Sequence, residues 1–171
     1  SLMKKLLFVL AFGACSLSAF SQVAYSKRIE FSFQKYRTHV VNYEDGGTGF
    51  KGYHLTGNGF DLNMVNGFFF GEHLFMGAGV GYGNYSGDHA LQAFFDLQAI
   101  FMKTRFSPLL NLKIGYNHLF NQYDGGTRGF IMEGGLGISY RLSEAYIITM
   151  QSGGMILQDA AMLPIRIGFL F

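Results

Sequence analysis

Phe130-Ile131-Met132-Glu133-Gly134-Gly135-Leu136-Gly137-Ile138-Ser139-Tyr140-Arg141-Leu142 alternates almost without a break. Phe130, Met132, Leu136, Ile138, Tyr140 and Leu142 share one parity, and Glu133, Gly135, Gly137, Ser139 and Arg141 the other. A period of two is the pattern of a strand with unlike faces. A helix would not tolerate glycine at alternate positions, each costing about 1 kcal/mol. The pattern recurs upstream, where Leu110, Leu112, Ile114 and Tyr116 oppose Asn111, Lys113, Gly115 and Asn117. It recurs again where Leu74, Met76, Ala78, Val80 and Tyr82 oppose Gly77, Gly79, Gly81 and Gly83.

Working outward, eight such segments are predicted near 28–40, 53–67, 74–84, 90–102, 109–120, 129–142, 146–157 and 163–171. The connections at 42–51, 84–89, 121–128 and 158–162 carry the Gly, Asn and Asp of surface loops. Between them lie tighter turns at Gly71-Glu72, 103–107 and Ser143-Glu144. An even strand count, with loops at one end and turns at the other, is the plan of an up-and-down antiparallel transmembrane β-barrel, both termini periplasmic. A soluble sandwich or lipocalin-like barrel shows the same alternation with its apolar face inward. Three features favour lipid outside: aromatics near strand ends (Tyr82, Tyr116, Phe120, Tyr140, Tyr146, Phe169), charges of both signs on the polar parity, and a final alternating strand that ends in an aromatic.

Composition agrees. Glycine is 24 of 171 residues, about twice the usual ~7%, and charged residues are 14% against a typical ~25%. Residues 1–21 read as a secretory signal peptide: Lys4 and Lys5 precede an apolar stretch too short to span a bilayer, and Ala19-Phe20-Ser21 offers small residues for cleavage before Gln22. Phe12-Gly13-Ala14-Cys15 loosely resembles a lipoprotein box, with Phe12 where Leu is usual; on the main reading Cys15 leaves with the leader. Residues 22–171 then form one barrel domain without cysteine. Losing Lys4 and Lys5 leaves the basic residues equal in number to the 11 acidic ones, which gives no electrostatic footprint for nucleic acid.

Particular residues carry a family likeness: Met76-Gly77-Ala78-Gly79-Val80-Gly81-Tyr82, Ser107-Pro108 before Leu112-Lys113-Ile114-Gly115-Tyr116, Gly135-Leu136-Gly137-Ile138-Ser139-Tyr140-Arg141-Leu142, and Ile167-Gly168-Phe169-Leu170-Phe171. Over these the chain resembles the small porin-like outer-membrane β-barrel proteins of Bacteroidetes. The resemblance implies an eight-stranded barrel in the bacterial outer membrane. It also implies that the barrel-assembly machinery recognises the last strand through Phe171.

Candidate site residues follow from parity. Glu30, Asp61, Asp96 and Glu133 are expected to meet Lys113, Arg141 and Arg166 in the lumen as a neutralising charge network. In the first strand Lys35 and Arg37 share the apolar parity of Ile29, Phe31 and Phe33. At ~3.3 Å per residue on a strand tilted about 40°, Arg37 stands roughly 20 Å above Ile29, near the edge of an apolar band about 25 Å tall. Both are expected to contact lipopolysaccharide phosphates, Arg37 in a bidentate way. The alternative is a bulge that flips the parity and turns them inward or into the first loop.

Other chemistry is weaker. The glycines of 77–83 have strict two-residue spacing and precede no helix, so they do not form a phosphate-binding turn. A lipid-modifying hydrolase needs a nucleophile, a His base and an acid; the best available set is Ser86, His118 and Asp88. His39, His54, His89 and His118 gather toward one end, a candidate metal rim without Cys or His-x-His support. No catalytic, cofactor or metal residue is assigned. An eight-stranded lumen is just wide enough for side chains to fill. The expected protein is therefore a monomeric, non-catalytic outer-membrane barrel with a structural, envelope-integrity or surface-interaction role. A narrow channel and a lipid-modifying enzyme are the alternatives.

Overall fold

The computed structural model describes residues 23–40, 55, 57–121 and 126–171. The signal segment, the loop at 42–51 and His54 lie outside them. Eight strands follow one another: β1 (Val23–His39), β2 (Gly59–Phe70), β3 (Leu74–Tyr85), β4 (Asp88–Ile100), β5 (Phe106–Leu119), β6 (Thr127–Arg141), β7 (Ile147–Leu157) and β8 (Ala160–Leu170). Each pairs antiparallel with its neighbours, and β1 pairs with β8 to close the barrel. β1 begins five residues before the expected start, and β2 is shifted toward the Phe68-Phe69-Phe70 run, where alternation is hidden by three aromatics.

The expected contrast between long loops and short turns is only partly realised. Residues 84–89 form a two-residue hairpin, with Ser86 at φ 55° and Gly87 at φ 96°. Two positive φ values match the right-handed strand twist, which is why Ser-Gly serves there. Gln158-Asp159 is equally tight, whereas β4–β5 and β6–β7 at the opposite end use five residues each. The Gly, Asn and Asp that signal a surface loop are also what a tight hairpin needs.

Side-chain direction follows the parity read from the sequence. Ile114, Met132, Leu136, Ile138 and Met150 are exposed on the outer wall, and the aromatics Tyr82, Tyr116, Phe120, Tyr146 and Phe169 are exposed near strand ends. Inside, the lumen is filled in layers. At the loop end Tyr85, Leu119, Ile131, Leu157 and Met162 pack with Leu55, which the β1–β2 connection inserts from above. At the terminus end Ile100, Leu109, Ile147 and Leu170 pack together. Charged and amide side chains lie between these apolar layers.

Glycines make room for inward rings. Phe94 on β4 stands in register with Gly79 on β3 and Gly115 on β5. Tyr85 lies across from Gly59, and its ring edge also covers Gly83. A Cβ on Gly79 would stand 2.6 Å from the Phe94 ring. Gly79→Ala is therefore expected to destabilise the folded barrel in detergent by about 1–3 kcal/mol, the range for overpacking. In a Phe94→Ala background the same change should cost much less. Additive effects in a thermal double-mutant cycle would contradict this packing.

Candidate functional site

The lumen brings together residues far apart in sequence because parity aims them at one axis. Arg166 on β8 is the hub. Its Nε and Nη2 donate to the two carboxylate oxygens of Glu133 at 3.1 and 2.6 Å, and its Nη1 reaches Glu30 and Asp61, both at 3.1 Å. Lys113 donates to Glu30 at 2.7 Å, with Asp96 at 3.8 Å and the Phe94 ring 4.4 Å away. Amides occupy remaining acceptors: Gln34 and Asn63 donate to Asp61, and Asn111 donates to Asp96 at 3.1 Å. Every one of these side chains is buried.

Arg28 belongs to the same cluster. It stands 2.8 Å from Glu30 and 2.6 Å from Asp96, stacks 5.0 Å above Phe75 and donates to Gln98. Placing the strand start at Arg28 hides this role; its parity with Glu30, two residues on, is the signal that assigns it. Arg141 is the reverse case. Its parity is inward, but it ends β6 beside the 142–146 turn, is only half-buried, and joins none of the lumenal ion pairs. Three cations (Arg28, Lys113, Arg166) thus face four carboxylates (Glu30, Asp61, Asp96, Glu133). Removing charges from water is expensive, and that cost is offset only where partners and hydrogen bonds are nearly complete.

The first strand departs from regular pairing where its cations begin. Tyr36 pairs with Met162 and Thr38 with Ala161, so Arg37 is the extra residue of a bulge. Lys35 precedes the bulge, opposite Leu163, and keeps its outward direction; Arg37 is exposed at the bulge, while Tyr36 packs against the loop-end layer. Phe171 lies just past β8. Its backbone exchanges two hydrogen bonds with Lys27 (2.8 and 2.9 Å), and its ring is 5.8 Å from Phe169.

Among the described residues, no hydrogen bond joins Ser86, His118 and Asp88 to one another. The Ser86 hydroxyl donates to the Asn58 carbonyl, whereas the His118 ring packs edge-on against Phe120 at 4.6 Å. His89 is bonded to the Tyr82 hydroxyl through Nδ1. His54 and the side chain of His39 lie outside the described residues, so the four-histidine rim does too.

No protein-family model and no curated protein sequence matches this chain. Solved structures do. Neisserial surface protein A superimposes with a TM-score of 0.65 at 8% identity, covering 88% of this chain and 98% of that one. The N-terminal β-barrel domain of Pseudomonas aeruginosa OprF gives 0.55 at 15% identity, covering 88% and 100%. The outer membrane enzyme PagL gives 0.52 at 11%, covering 84% and 98%. At such identities the likeness is one of fold. The chain folds as a closed eight-stranded antiparallel barrel of the outer-membrane type.

The network yields a direct prediction. Glu133→Leu strips Arg166 of its bidentate partner inside the barrel and is expected to cost about 3–5 kcal/mol. Glu72→Gln, which breaks the exposed Lys103–Glu72 pair at 3.2 Å, is expected to cost about 1 kcal/mol or less. Thermal unfolding of both variants in micelles compares them; equal losses would place Glu133 outside the lumen.

Proposed function

We propose that this protein is an integral outer-membrane barrel with a non-catalytic role in envelope structure, integrity or surface interaction. One observation carries the reading: the wall is apolar outside, and the lumen holds a buried charge network with an apolar cluster toward each end. A soluble barrel would invert the two faces. A water-filled channel would leave the axis open, whereas Leu55, Tyr85, Leu119 and Leu170 are each buried almost completely.

Residues 1–21 direct export and are removed. Phe171, whose backbone pairs with Lys27 just past β8, is the aromatic read during assembly, in line with the resemblance to the Bacteroidetes porin-like proteins. Lys35 and Arg37, exposed at the loop end of β1, contact lipopolysaccharide phosphates; Gln at both positions should lower the lipopolysaccharide that co-purifies, and unchanged lipid would remove that role.

The reading as a whole is tested in reconstituted membranes. The protein is expected to need detergent for extraction, to show no ion-conducting steps in planar bilayers, and to leave lipid A acylation unchanged in cells that express it. Stable conductance would favour a channel, and loss of an acyl chain a lipid-modifying enzyme. Extraction in plain buffer would contradict membrane insertion itself.

A further inference from the structure

The outer wall of β2–β5 is not smooth. Ala93 on β4 is a small residue between Leu91 and Phe95 along its strand, and it stands in register between Val80 on β3 and Tyr116 on β5. The dip deepens into a groove of about 560 Å³ with walls of Leu62, Met64, Leu91 and Tyr116. Its lining is almost wholly apolar apart from the end nearest the loops, where His118 enters it.

That polar end is built by register. One step above the Val80–Ala93–Tyr116 row lies the row Tyr82–Leu91–His118–Arg128. His118 and Arg128 are directly paired across β5 and β6, and both have outward parity. Tyr82 is bonded to His89, which adds a second imidazole to the same rim. Charge is distributed with a consistent sign. Among the described residues, the four fully buried strand carboxylates point into the lumen, and Asp88, which opens β4, shares the inward parity of Ala90 and Gln92. Among the described residues, neither Arg128 nor His118 forms an ion pair with a carboxylate.

A long apolar groove that ends at an imidazole, with an arginine paired to it on the next strand, matches an amphiphile with acyl chains and a phosphorylated head. Arg is suited to such a head because its planar fork can bond two phosphate oxygens at once. We propose that this groove is a binding site for the lipid A part of lipopolysaccharide, with an acyl chain lying over Ala93 and a phosphate held by Arg128 and His118. The site rests on the outer-membrane reading and is separate from Lys35 and Arg37, which flank β8. A lipid seated here is held by shape and charge together, unlike the lipid that merely surrounds the wall.

The experiment is native mass spectrometry of the folded barrel, released from detergent after incubation with purified monophosphorylated lipid A. The wild type should retain a single lipid at activation energies that strip detergent. Ala93→Phe fills the floor of the groove while keeping the face apolar; Arg128→Gln with His118→Gln removes the head contacts. Each variant should retain about ten-fold less lipid, the effect of losing one charge-assisted contact or its equivalent. Heat-modifiable folding and membrane insertion of both variants should match the wild type, which separates this site from the broader reading. Lipid retention equal to wild type in either variant would overturn the proposal. So would equal retention of lipid A from which the phosphate has been removed.

Discussion

Eight strands closed on themselves leave an interior wide enough for side chains and little else. Whatever faces inward must therefore fit that space, and charges placed there need partners close by. This protein meets the limit with two devices. Large rings at Phe94 and Tyr85 are seated against glycines on neighbouring strands. Charges are gathered around Arg166, whose guanidinium touches three carboxylates from three other strands. Each device fixes register, since sliding a strand by one residue would carry its inward set to the lipid face.

The same limit bears on function. The polar residues of the lumen are tied to one another between an apolar cluster of Leu55, Tyr85 and Leu119 at the loop end and one of Ile100, Leu109 and Leu170 at the other. The exposed surfaces are the outer wall and the loop end. The resemblance in fold to a surface protein, a barrel domain and an enzyme illustrates how one architecture hosts unrelated activities. Activity must therefore be argued from sites, and the candidates proposed for this chain are the exposed cations and the groove over Ala93.

Much of this was legible in the sequence, for a physical reason. Period-two alternation reports directly on side-chain direction, so Lys113, Glu133 and Arg166 could be set inside and Ile114, Met132 and Ile167 outside without coordinates. Depth along a strand leaves no such mark: Arg141 has the right parity and the wrong height. A bulge is equally silent, because the extra residue at Arg37 exists only relative to β8. The hairpins at Ser86-Gly87 and Gln158-Asp159 look like longer loops in the sequence because tight turns and loops draw on the same few residues. Arg28 was hidden by a strand start that no Gly or Pro announces.

Everything in this barrel depends on which face meets lipid, and one measurement reads that directly. The folded protein in lipid vesicles is exposed to a membrane-dissolved carbene reagent, and modified residues are mapped by mass spectrometry. Ile114, Met132, Ile138 and Met150 should be labelled, while Asn111, Lys113, Glu133 and Gln151, one position removed from them in the strand pattern, should stay unmodified. Labelling of both parities alike, or of Lys113 and Glu133 in preference to Ile114 and Met132, would contradict a barrel with its charges inside.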